Sequence, residues 1–158
     1  MRFRNQVNSL LASVIIFTFI TGCVTSKKIL TPPPPPAPSA QTMLQQAMLR
    51  NTWGASQLMG VGLDVENPMV ESPSVKFESG GRMTGSTGCN SFMGTYTISG
   101  DGVKLDPGAM TRKACEGKQE KQFLEALRRT VNLRLSGERI ELVDEKEQVL
   151  AQLRPKKP

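Results

Sequence analysis

The chain is 158 residues long, room for one ordinary domain plus a targeting or linker segment. Its net charge of +6 taken alone points to nucleic acid, but Arg50 to Leu153 hold 13 basic and 14 acidic residues, so the excess sits in the tails and no nucleic acid is expected. Histidine is absent, which removes the commonest general base and the commonest metal ligand together, and no metal or cofactor is expected.

Arg2 and Arg4 form a basic start, and Leu10 to Ile20 an apolar run of 11 residues. A spanning helix needs about 20 residues, so residues 1–22 read as a secretory signal. The run leads into Ile20-Thr21-Gly22-Cys23, which resembles the lipobox of bacterial lipoproteins. That resemblance implies diacylglycerol on the Cys23 thiol and cleavage after Gly22, because the peptidase must fit small side chains before the cut. The alternatives are an ordinary signal peptide with an incidental cysteine, or an uncleaved anchor. Val24, where an inner-membrane retention signal would be Asp, implies the outer membrane, facing the periplasm. At ~0.8 kcal/mol per buried methylene, several acyl chains, palmitate among them, make the anchor permanent.

Residues 23–48 read as the lipidated cysteine and a linker, with Pro32 to Pro36 followed by Ala37-Pro38. Polyproline II rises about 3.1 Å per residue, so this run holds the domain roughly 20 Å off the bilayer. Gln41 to Arg50 has helix-forming composition, with Met43, Leu44, Ala47 and Met48 near one face. The folded domain is expected over residues 49–154, followed by a disordered basic tail, residues 155–158.

Trp53 opens a strand-like stretch reaching Leu58 and reads as a core aromatic. Met59 to Ser72, with Asp64, Glu66 and Glu71, lacks the spacing of a calcium loop and reads as a solvated connection. Ser74 to Glu78 alternates apolar and polar residues, and Gly80-Gly81 turns it into a partner strand, Arg82 to Gly85. Phe92, Gly94, Tyr96 and Ile98 alternate along the next strand, Gly100-Asp101-Gly102 turns, and Val103 to Leu105 returns. From Gln119, residues Phe123, Leu124, Leu127 and Val131 recur at helical spacing, while Glu120, Lys121, Glu125, Arg128 and Arg129 are expected to face water. Glu125 and Arg129 make a favourable i,i+4 pair. Arg139 to Val143 and Val149 to Leu153 read as a closing hairpin around Asp144-Glu145-Lys146.

This order of parts resembles the META-domain, or HslJ-like, family of small bacterial envelope proteins. The matching positions are Trp53, Phe77, Gly85, Gly88, Cys89, Asn90, Gly94, Tyr96, Thr111, Ala114, Cys115, Phe123, Leu124 and Leu127, spread over residues 49–154. Lys113 stands where the family usually has Met. The resemblance implies an α+β fold, a curved antiparallel β-sheet, half-open and barrel-like, packed on one main α-helix. It also implies a link to heat shock and, in one relative, to novobiocin resistance, with no established catalysis.

Cys23 being assigned to lipid, Cys89 and Cys115 form an even pair for an oxidising compartment and read as a disulfide worth roughly 3 kcal/mol. A redox-active or metal-binding pair is the alternative, which neither C-x-x-C spacing nor histidine supports. Gly88 and Asn90 are expected to satisfy a tight left-handed turn rather than to build an oxyanion hole. Asp101 and Asp106 each flank a turn residue, where Asp belongs for backbone reasons, and no nucleophile elbow is present. The expectation is a non-enzymatic envelope module whose partner is another envelope protein or a small ligand. The alternative is an inhibitor of a periplasmic protease or lysozyme, acting through Met59–Ser72 or Gly108–Lys113.

Overall fold

The computed structural model describes residues 35–64, 71–115 and 118–156. Residues 1–22, Cys23, the proline run to Pro34, and part of the Met59–Ser72 connection lie outside the described residues. The unit Pro36–Pro158 carries the fold.

Period-two alternation produces most of its strands. In chain order the elements are α1 (Ala40–Arg50), β1 (Thr52–Leu58), β2 (Val61–Gly62), β3 (Ser74–Glu78), β4 (Arg82–Ser86), β5 (Ser91–Ser99) and β6 (Gly102–Met110). Then come α2 (Gln119–Arg129), β7 (Asn132–Ser136), β8 (Arg139–Val143) and β9 (Val149–Pro155). All pairings are antiparallel, in the order β6-β5-β4-β3-β1-β9-β8-β7, with the short β2 folded back on β1. Gly80 and Gly81, at φ 83° and 79°, make the left-handed pair that the β3–β4 turn requires.

The sheet curls because its strands are interrupted at defined places. Register shifts fall between Met93 and Thr95, Ala55 and Gln57, and Leu142 and Val143, and bulges of this kind bend a strand and raise its twist. At the first of these a Cβ on Gly94 would overlap the Asp106 carbonyl oxygen, so only glycine lets β5 and β6 approach. The curl brings the two edges together, where Val103 N–H donates to Val131 C=O at 2.8 Å. The result is a half-barrel with a narrow seam.

Helix α2 packs on the concave face. Phe123, Ala126 and Leu127 are buried against the inward residues of the sheet, among them Trp53, Phe77, Met83, Leu142 and Leu153. Its stop is made by Thr130, whose hydroxyl donates to Ala126 C=O at 2.6 Å. Arg129 joins Glu125 at 3.1 Å and reaches Asp144 at 2.9 Å, tying the helix end to the β8–β9 turn. The buried Asp144 carboxylate also accepts the N–H groups of Lys146 and Gln148 at 2.9 and 3.0 Å.

Several sequence expectations need correction. Helix α1 belongs to the domain rather than to the 23–48 linker, because Met48 is fully buried and Leu44 and Ala47 pack on the core. Val131 lies outside α2, which ends at Arg129, and β7 follows where no strand was expected. Strand β6 continues through Pro107 to Met110, which an edge strand tolerates because it need not donate outward. Of the expected tail, Pro155 ends β9 and Lys156 N–H donates to Thr52 C=O at 2.7 Å, so both belong to the domain, while residues 157–158 lie outside the described residues.

Candidate functional site

The Gly-Cys-Asn motif sits on the β4–β5 connection, beside the start of α2. Gly88 takes φ 87°, and a Cβ there would stand 2.6 Å from the Glu71 carbonyl oxygen. Asn90 differs from the expected left-handed residue: among the described residues only Met59 and Glu147 are non-glycines with positive φ. Its contribution is its buried side chain. The amide oxygen accepts from Lys113 N–H at 2.7 Å and from the Thr111 hydroxyl at 2.8 Å. The amide nitrogen donates to Lys113 C=O at 3.1 Å and to the Glu120 carboxylate at 2.9 Å. Every bonding position of the amide is used, and the Lys113 peptide fixes its orientation, since an N–H needs an acceptor and a C=O a donor.

Glu120 also corrects the sequence reading, which placed it in water. Its carboxylate accepts from the Thr87 hydroxyl as well as from Asn90. Those two hydrogen bonds hold its pKa below the ordinary value, Thr87 first and Asn90 second, with burial pulling the other way. The Thr87 oxygen in turn accepts Asn90 N–H at 2.9 Å. Lys113 takes part through its backbone alone, so Lys in place of the usual Met leaves the arrangement intact, with the side chain exposed. Cys89 and Cys115 are joined as a disulfide, Cα atoms 6.2 Å apart, across the same segment.

The other motif residues likewise serve the fold. Trp53 is buried, and its indole N–H donates to Met48 C=O at 3.1 Å, closing the end of α1. The Tyr96 hydroxyl donates to Glu78 C=O at 2.9 Å, and its ring meets Phe77 edge-on at 5.3 Å. Burial raises the Tyr96 pKa. Gly85 lets Phe92 and β3 close over it, where a Cβ would overlap Ser74 C=O. Asp106 accepts Gly108 N–H at 3.0 Å, the backbone role expected of it. Among the described residues no buried side-chain nitrogen or oxygen lacks a partner, and no three His, Cys, Asp or Glu gather as metal ligands.

A META-domain family model matches residues 46–157, most of the chain. The chain belongs to the META-domain family. No curated protein sequence matches it. The META domain here is similar in fold to a DUF4847-family protein from Bacteroides vulgatus, at 15% identity and TM-score 0.53, covering 73% of this chain and 99% of that one. It is also similar to a protein from Burkholderia xenovorans solved by NMR, at 19% identity and TM-score 0.52, covering 81% and 100%. At these identities the likeness is one of fold.

Among its described residues this META domain has a cleft of 510 Å³ between α1, the β5–β6 turn and β7. Sequence reasoning missed it, because one wall is a helix assigned to the linker and another, β7, a strand that was not expected.

Proposed function

We propose that this META domain is a non-catalytic binding module, held at the bacterial envelope by a lipid on Cys23 and acting in tolerance of heat or antibiotic stress of the novobiocin type. One observation carries the non-catalytic part. The polar residues of the family motif bond to one another and to backbone, as a scaffold requires, with Asn90 using all its capacity inward. A catalytic group needs capacity left over for a substrate. The lipobox in the sequence supports the anchor.

Crosslinking capture from envelope extract, with the domain as bait, tests the binding role. Retention of an envelope assembly or transport component is the expected result. Turnover by the purified chain that disappears with one polar substitution would overturn it. Replacing Cys23 with serine is expected to move the chain out of the membrane fraction, and its staying there would sink the anchor.

The inhibitor reading is favoured by one feature, the segment from Thr111 to Cys115. It is exposed, yet pinned by Asn90, by Thr111 N–H to Ser91 C=O at 3.0 Å, and by the disulfide. Rigid exposed loops bind with little ordering cost. Inhibition of a periplasmic protease or lysozyme that is lost in Arg112→Ala/Lys113→Ala, with melting unchanged, would establish this second reading.

A further inference from the structure

We infer that the cleft between α1, the β5–β6 turn and β7 is a binding site for a small, uncharged, largely apolar molecule, an inference that rests on the binding-module reading above. Its volume, 510 Å³, lies within the range of sites that enclose drug-sized ligands. Met48, Val103 and Leu133 form an apolar floor continuous with the core, and Leu135 a wall. Two of the large hydrophobic side chains left in water stand at its lips, Met43 on α1 at 50% exposure and Ile98 on β5 at 38%. Apolar groups facing each other across an open cleft gain from a guest that removes both from water. Methionine walls also adapt to an irregular guest.

Charge and hydrogen bonding narrow the class. The one cation in the lining, Arg134, is engaged by Glu141 at 3.0 Å and Glu147 at 3.6 Å, so no anionic head group is specified. Asp101 at the rim disfavours anions further. Gln45 and Asn132 supply amides there, suited to one neutral polar end. An extended peptide fits less well. Strand addition needs free backbone groups along a sheet edge, and beside the floor the Val103 N–H of β6 is already taken by Val131 C=O.

The test uses residues 36–158, which form a compact unit with their own core and whose fold makes up nearly the whole of the solved relatives, 99% and 100% of their chains. N-phenyl-1-naphthylamine, neutral and fluorescent when shielded from water, is titrated into the protein. Saturable 1:1 binding is expected, weakened at least about tenfold in Met43→Glu/Ile98→Glu, where a carboxylate enters each lip. Met93→Glu, at a residue 64% exposed on β5 and outside the cleft lining, is expected to bind as the unaltered protein does. Amide NMR shifts on dye addition to the unaltered protein supply a readout independent of any variant. They are expected to centre on Ile98–Val103 and Asn132–Leu135. Absence of saturable binding, equal loss in Met93→Glu, or shifts elsewhere would overturn the site. Those outcomes leave protein capture and membrane retention, which test the broader reading, unaffected.

Discussion

Asn90 replaces a strand. Its amide meets both the N–H and the C=O of Lys113 as a neighbouring peptide in a ladder would, in a place where the chain supplies no such neighbour. Asn90→Ala leaves that peptide without its partners and the Glu120 carboxylate with Thr87 alone, and a loss of about 2–4 kcal/mol is expected in urea unfolding. Lys113→Ala, touching only an exposed side chain, should change stability by less than about 0.5 kcal/mol. Nothing in the sequence marks this difference. A Gly-Cys-Asn string announces a turn, but the partners of Asn90 lie at 111, 113 and 120 and are revealed only by the fold. The acid response belongs to this scale too. Glu120 is held below its ordinary pKa by Thr87 and Asn90, and Asp144 by Gln148 N–H, then Lys146 N–H and Arg129. A lowered folded pKa means the unfolded chain takes up protons first on acidification. The stabilisation is therefore complete above the ordinary carboxylate value and drains away as pH falls through the lowered folded one. Urea midpoints followed from about pH 7 to about pH 3 should fall, and Glu120→Gln should fall less steeply.

Elements were legible where their signal is local. The β3–β4 hairpin shows in five alternating residues and a glycine pair, and α2 in its apolar stripe. Strand β7 was not, because Asn132–Ser136 follows α2 after two residues and Val131 extends the helical spacing by chance; the helix is stopped by the Thr130 hydroxyl, a tertiary detail. Strand β2 spans two residues and exists only by pairing with β1. The long β6 was hidden by Pro107, which reads as a turn until its place at a sheet edge is known. The bulge at Gly94 gives a direct test. Alanine there would drive β5 from β6, and Gly94→Ala should lose about 3 kcal/mol or more, with the dispersion of β6 amide NMR signals reduced. The disulfide closes a span of 26 residues, and Cys89→Ser/Cys115→Ser should cost about 3 kcal/mol in thermal unfolding. The domain should still melt cooperatively, since Asn90 holds the same segment.

In the whole molecule, the first long strand and the last are neighbours. Trp53 pairs with Pro155 in register, and β9 lies between β1 and β8 in the interior of the sheet. Ala151 and Leu153 are buried there, and Trp53 carries the arrangement outward to α1 through its bond to Met48. A chain ending at Gln148 lacks an interior strand and should give no protected amides in hydrogen exchange. The same placement sets an order of events during synthesis. A chain emerging from the ribosome cannot join β1 to β8 until residue 155 is clear. The hairpins from β3 to β6, local in sequence, form without it, but the two joins that place β1 beside β8 wait for β9, so the half-barrel locks only when the last strand arrives.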